Sequence, residues 1–202
     1  PHVGGNIARD PVRQGGLPSR CPALLAATAG LATAAASDDL KHFDSVTGFR
    51  TSRYRAPTPA TAPGAMTVSV EDVRQLMRDE TAVLIDVMPA EGAGADPRTG
   101  IWRLSKRHEN IPGSVWLADV GKGDLSAEME TYFKSNLARL TSGDRNRSII
   151  FYCLADCWMG WNAAKRAAGY GFKRVYWFPD GADGWRDWEG SLVPAVPEPL
   201  AR

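Results

Sequence analysis

The sequence has few cysteines, no excess of charge of either sign and no long apolar run. Three cysteines among 202 residues are too few for a fold that is held together by disulfides. The 24 basic and 23 acidic residues nearly cancel, so the chain lacks the positive charge typical of nucleic-acid binding. No apolar stretch reaches the roughly 18 to 20 residues of a membrane span. The hydrophobic content of 44% instead matches an ordinary globular domain.

Residues 1–36 have the layout of a secretory signal peptide. A segment with three arginines precedes an uncharged, alanine-rich core, which ends in an Ala-x-Ala sequence at Ala36 before acidic residues. This order predicts cleavage near Ala36 and export. Cleavage would also remove Cys21 and leave Cys153 and Cys157 as the two cysteines of the mature chain.

The remaining sequence divides into an arm and a domain. Residues 37–66 contain several prolines and no sustained apolar period, which predicts an extended arm on a surface. In residues 67–202, apolar runs at 81–87, 115–117, 148–153 and 174–178 predict strands. They alternate with amphipathic segments that begin at Ser69 and span 126–140, 160–169 and 182–188. We therefore expect an α/β domain, with a small parallel sheet flanked by helices on both faces.

The strand at 148–153 ends in Cys153, directly before a predicted helix. In parallel α/β sheets ligands bind beyond the carboxyl ends of the strands. Backbone N–H groups and the helix N-terminus would lower the pKa of a thiol there, which favours the reactive thiolate. The alternative is an inert, buried cysteine, and the presence of Cys157 four residues later argues against it.

Other chemistries have less support in the sequence. A phosphatase of the Cys-x5-Arg type needs an arginine where this chain has Met159. A metal site needs three or four ligands, and the two cysteines lack further ligands at a suitable spacing, so no metal is expected. A protease pair of cysteine with His108 has no supporting signature. Asp86, at a strand end, could act as a base, but more often such an aspartate caps a neighbouring loop.

Four features follow one another in the order of a rhodanese domain. They are Asp86 after a buried strand, the turn at 109–114, the strand that ends in Cys153 and the late helix at 181–185. About residues 66–195 resemble that family. The resemblance implies that Cys153 is the nucleophile and carries sulfur as a persulfide, without a cofactor. It also implies a small sulfur donor or thiol acceptor as partner, and substrate contacts from the loop residues Leu154, Ala155, Asp156, Trp158 and Met159.

Charge in this loop argues against thiosulfate as the natural donor. Sulfurtransferases that use thiosulfate often carry basic residues here, whereas this loop has none and Asp156 would repel a dianion. The long loop after Asp86 contains basic residues that could draw in an anionic donor, namely Arg98, Arg103, Lys106 and Arg107.

Three shorter segments resemble a narrower family, the periplasmic rhodanese-like proteins associated with PQQ-dependent catabolism and named for a CXXCW motif. They are residues 43–50, residues 53–57 and the Cys157-Trp158 pair. This resemblance implies a periplasmic location and association with a quinoprotein dehydrogenase, although nothing indicates PQQ binding. The chain departs from the motif, because three residues rather than two separate its cysteines.

Several alternatives stay open at the level of sequence. Cys157 could resolve the persulfide, form a dithiol–disulfide pair with Cys153 for redox chemistry, or simply pack beneath the loop. Trp158 could wall a pocket or cover the core. The chain could also be a non-catalytic module that binds a quinoprotein through its arm and a tryptophan-rich surface, since all seven tryptophans lie between Trp102 and Trp188.

Overall fold

A computed structural model describes residues 39–79, 82–92, 94–188 and 190–200. The predicted signal peptide therefore lies outside the described residues. Five parallel strands form the main sheet in the order β1-β6-β5-β2-β4. Their bounds are β1 Met66–Thr67, β2 Ala82–Asp86, β4 Val115–Trp116, β5 Ser148–Tyr152 and β6 Val175–Phe178. Two further strands, β3 His108–Asn110 and β7 Val193–Ala195, pair antiparallel in a separate small sheet.

Helices cover both faces of the main sheet, as the sequence predicts. They are α1 Val70–Arg78, α2 Ala127–Leu140, α3 Trp158–Gly169 and α4 Gly181–Asp187. One core joins Phe133 of α2 and Ala163 of α3 to Phe151 of the central strand. The opposite core joins Val73 of α1 and Ala182 of α4 to alternate residues of the same strands, because successive side chains of a strand point to opposite faces. No described helix is long and apolar enough to cross a membrane.

The helix boundaries follow local capping. Ser69 caps α1 in a capping box with Asp72, as its sequence predicts. The α3 helix begins at Trp158 rather than at the predicted Gly160. The helix ends at Gly169, as in the predicted segment, and the glycine with positive φ that closes it is Gly171, at 92°. The Gly171 and Phe172 N–H groups bond back to the last turn, which is how glycine closes a helix.

The arm packs against α3. Residues from Asp39 onward belong to the same compact unit as the domain. Arg50 is 1% exposed, and its backbone exchanges two hydrogen bonds with the amide side chain of Asn162 in α3. The Lys165 ammonium donates to the carbonyls of Thr47 and Gly48. The arm is thereby fixed along α3, the helix that directly follows Cys157.

Candidate active site

The two cysteines flank the turn between the central strand and α3. Cys153 directly follows β5, and Cys157 is the N-cap residue of α3. Their sulfur atoms are joined in a disulfide, with Cα atoms 6.3 Å apart. Both residues are buried, at 1% and 5% exposure. The two cysteines are therefore paired, an arrangement that the sequence left open. We call residues 153–158 the cysteine loop.

Hydrogen bonds hold one side of the cysteine loop against the start of α4. The carbonyl of Cys153 accepts from the Ala182 N–H at 2.9 Å, and Leu154 forms a bridge with Gly181. Asp156, at the exposed crest of the loop, has a positive φ of 49°, a conformation that aspartate tolerates better than most residues. The loop is thus fixed to the start of α4 on one side.

Two N–H groups of the cysteine loop donate to acceptors other than the cysteine sulfur. The Trp158 N–H donates to the carbonyl of Tyr54 at 2.8 Å, and the Ala155 N–H donates to Asp183 at 3.1 Å. The carbonyl oxygen of Cys157 lies 3.3 Å from the Cys153 sulfur. These two N–H groups therefore do not surround the sulfur with donors, although the sequence predicts such an arrangement for the loop. The expected fall in the pKa of the Cys153 thiol concerns the dithiol state and stays a prediction.

The residues predicted to bind substrate differ in exposure. Leu154 and Ala155 are half-buried and Asp156 is exposed. Trp158 and Met159 are buried in the core, because α3 begins at Trp158 and turns both side chains inward. Met159 packs so closely that a side chain at Gly121 would overlap it. Substrate binding by these five residues stays a prediction.

Trp158 is enclosed by the arm. Its ring meets Phe43 edge to face, with centroids 5.0 Å apart, and Trp161 at 5.1 Å. Its indole N–H donates to the carbonyl of Pro57 at 3.1 Å. Of the two open interpretations, these contacts favour packing over a pocket wall. Most other tryptophans are also buried or half-buried, and Trp188, at 52% exposure, is the exception, so they form no broad aromatic surface.

The arm adds a residue to the site that sequence reasoning missed. Arg55 lies directly opposite Cys157 in a short antiparallel ladder. The ladder consists of the Ala56 N–H bonded to the Asp156 carbonyl and the Trp158 N–H bonded to the Tyr54 carbonyl. Arg55 belongs to the segment 53–57 that carries the narrower family resemblance, and that segment was the signal that could have found it.

Two of the four basic residues of the long loop form ion pairs within that loop. Arg103 pairs with Asp96 at 2.8 Å and Lys106 pairs with Glu91 at 3.3 Å. Recruitment of an anionic donor by the basic residues of this loop stays a prediction. The arm, by contrast, places Arg55 opposite Cys157 in the ladder with the cysteine loop.

Asp86 forms a buried pair with His108 at the end of β2. One carboxylate oxygen accepts from the Met88 N–H at 2.8 Å, as expected for a loop cap. The other lies 2.6 Å from Nε2 of His108, whose ring stacks on Trp116 with centroids 4.0 Å apart. Burial raises the pKa of Asp86, and the contact with His108 opposes that rise. His108 was not predicted as a partner, since 22 residues of chain separate the two.

The described residues contain no group of three or more His, Cys, Asp or Glu side chains arranged to hold a metal ion. Beside its two sulfur atoms, the cysteine loop carries the exposed Asp156 carboxylate, and Arg55 lies opposite Cys157.

The domain is thus a parallel sheet covered by helices, in which a cysteine directly follows the central strand and a short loop leads from it into a helix. The family model of the rhodanese-like domain matches residues 69–187. The chain therefore belongs to the rhodanese-like domain family. None of the curated proteins compared with the chain matches it.

Several solved structures are similar to the chain at low sequence identity. The polysulfide-sulfur transferase homodimer from Wolinella succinogenes is 16% identical, with a TM-score of 0.40, and the match covers 64% of this chain and 79% of that one. Thiosulfate sulfurtransferase from Pseudomonas aeruginosa is 15% identical, with a TM-score of 0.46, covering 68% and 22%. The anaerobic ergothioneine biosynthesis enzyme from Chlorobium limicola is 19% identical, with a TM-score of 0.44, covering 67% and 33%. The chain spans about a third of the length of such ergothioneine enzymes.

Proposed function

We propose that this protein is a two-cysteine sulfur carrier, in which Cys153 accepts sulfur and Cys157 releases it. The observation that carries the proposal is the Cys153–Cys157 disulfide inside the loop of a rhodanese-like domain. A resolving thiol must reach the sulfur that holds the persulfide, and the disulfide places Cys157 in bonding contact with Cys153.

The proposed reaction cycle has three steps. The Cys153 thiolate attacks the outer sulfur of a sulfane donor, so that a persulfide forms and the rest of the donor leaves as an anion. The Cys157 thiolate then attacks the inner sulfur of the persulfide, which forms the Cys153–Cys157 disulfide and releases hydrosulfide. An external thiol or dithiol finally reduces the disulfide by exchange and is itself oxidised.

We also propose that the chain works after export, as an accessory of a periplasmic quinoprotein dehydrogenase. Support comes from the three segments that resemble the narrower PQQ-associated family. Phe43, Arg50 and Trp158 pack against one another. The Trp158 N–H donates to the Tyr54 carbonyl. The segments thus form one structural unit around the cysteine loop, as expected if they serve one purpose.

The same disulfide favours a second candidate, a dithiol–disulfide redox protein. In that case the pair would pass two electrons to or from a partner thiol, and no sulfur would be transferred. A third reading, a non-catalytic module that binds a quinoprotein, would leave the cysteines without turnover.

Intact-mass spectrometry of the reduced protein, before and after treatment with thiosulfate or inorganic polysulfide, tests the proposal. We expect the mass to increase by one sulfur atom with at least one donor. Cys153→Ser should abolish the gain, whereas Cys157→Ser should prolong it, because the resolving thiol is lost. If no donor adds sulfur either to the wild-type protein or to Cys157→Ser, in which the persulfide cannot be resolved, the carrier function is wrong. Loss of two hydrogens on mild oxidation would then favour the redox protein, and no change would favour the binding module.

A further inference from the structure

The arm places an exposed cation, Arg55, opposite Cys157. The Arg55 side chain is 57% exposed. In the ladder between arm and loop, hydrogen bonds from the flanking residues straddle Arg55 and Cys157. Directly opposed residues of such a non-hydrogen-bonded pair lie close together, with side chains on the same side.

The position of the guanidinium is further defined by Asp183. Oδ2 of Asp183 accepts the Ala155 N–H and lies 3.8 Å from Nη1 of Arg55. Its Oδ1 atom lies much closer to Arg186, at 2.6 Å. Arg186 therefore provides the tighter partner for this carboxylate. Arg55 is held near the middle of the cysteine loop by a long ion pair that leaves its donors accessible to solvent.

The arm is held firmly enough to present Arg55 in one place. The Arg50 guanidinium donates from Nε to the carbonyls of Ser52 and Arg53, which shapes the chain just before Arg55. Trp158 fixes the chain just after it through the Pro57 carbonyl. Both anchors are buried.

We propose that Arg55 is the specificity-determining residue of this site, and that it binds the anionic group of a small thiol or persulfide which exchanges sulfur with the Cys153–Cys157 pair. Asp156 acts in the opposite direction, because its exposed carboxylate at the crest of the loop repels anions. The preferred partner is then a small sulfur compound with a single negative group apart from its sulfur. This inference rests on the proposed function in that it assigns exchange chemistry to the same pair of cysteines.

Reduction of the disulfide by thiols that differ in charge tests the role of Arg55. The oxidised full chain is treated with 3-mercaptopropionate, 2-mercaptoethanol or cysteamine at equal thiolate concentration. Samples are then quenched with iodoacetamide and read by intact mass. We expect Arg55→Gln to lower the ratio of the anionic to the neutral rate by roughly 3- to 10-fold, the effect of one nearby charge at a solvent-exposed site. Added salt should reduce the wild-type ratio toward that of the variant.

Two matched variants complete the design. Arg53→Gln removes the same charge from the arm two residues away and should leave the ratio unchanged. Asp156→Asn should raise the ratio, while asparagine suits the positive φ at this position. An unchanged ratio in Arg55→Gln, an equal fall in Arg53→Gln, or a wild-type disulfide that none of the three thiols reduces would each overturn the proposal.

Failure of this proposal differs from failure of the carrier function. If reduced protein gains sulfur from a donor but Arg55→Gln leaves the thiol ratio unchanged, the carrier function stands and the role of Arg55 is wrong. If the ratio falls as expected but no donor adds sulfur, Arg55 selects thiols for a redox pair instead.

Discussion

The guanidinium of Arg50 lies against the indole of Trp158, with its central carbon 5.0 Å from the ring centroid. The same group lies 5.1 Å from the ring of Phe43. An arginine and a tryptophan at this distance attract through the charge distribution of the ring, and the interaction strengthens when water is excluded. The tryptophan that follows Cys157 thus anchors the arm, and through the arm it sets the position of Arg55.

Trp158→Phe should loosen the arm beside the disulfide. The variant loses the hydrogen bond to the Pro57 carbonyl, at a cost of about 1 kcal/mol in the free energy of unfolding, and we expect faster reduction of the disulfide by small thiols. Trp161→Phe is the matched control, since it loses a similar bond to the Thr61 carbonyl. It should reduce stability in urea denaturation by a similar amount and leave the reduction rate near wild type. Equal reduction rates in the two variants would contradict the anchoring role.

Gly181→Ala should disturb the cysteine loop. Gly181 has a φ of 54°, and a Cβ atom there would overlap the carbonyl of Cys153. We expect a loss of about 2 to 4 kcal/mol from backbone strain and overpacking, measured by urea denaturation, together with faster disulfide reduction. Gly143→Ala is the control for backbone strain without a steric overlap, because Gly143 has a φ of 78° and open space around it. It should cost only about 1 kcal/mol. A loss in Gly181→Ala no larger than in Gly143→Ala would count against the contact.

Asp183 should matter chiefly as an acceptor for the loop. Asp183→Ala leaves the half-buried Ala155 N–H without its partner and should cost about 1 to 2 kcal/mol of unfolding free energy. Asp183→Asn keeps a carbonyl oxygen at this position and should lose less. Urea denaturation of the two variants checks the order. If Asn and Ala destabilise equally, the charge of Asp183 rather than its hydrogen bond holds the loop.

Asp86 should make stability depend on pH. Because burial raises its pKa in the folded state, the folded protein keeps this proton at pH values where the unfolded chain has lost it. The contribution of Asp86 to the free energy of unfolding therefore falls as the pH rises from the ordinary aspartate pKa to the raised one. Asp86→Asn should flatten the dependence on pH above about pH 4, measured by urea denaturation at several pH values. Identical slopes in wild type and variant would contradict the raised pKa.

The sheet and its helices could be predicted because their sequence signals are local. The β5 strand is a continuous apolar run, all five residues of which are buried, and the capping box at Ser69 marks a helix start by its own hydrogen bonds. Cys153 could be placed for the same reason, since it directly follows such a run.

The rest of the site depends on contacts between distant segments. The arm has no apolar period, and it acquires a fixed conformation through single groups such as the Arg50 guanidinium and the Asn162 amide. The N-cap position of Cys157 could not be predicted either, because its extended backbone is held by the ladder with Arg55. The pairing of Asp86 with His108 required the small antiparallel sheet that positions His108.

The distance in sequence between the arm and its partners sets an order for folding. Pro57 and Trp158 are 101 residues apart, and Arg50 and Asn162 are 112 apart, whereas the disulfide joins residues separated by four. Closing a long loop costs more entropy than closing a short one, and distant contacts form slowly. We therefore expect the arm to dock late, so that the newly made protein passes through a stage in which the cysteine pair is still open to thiols of any charge.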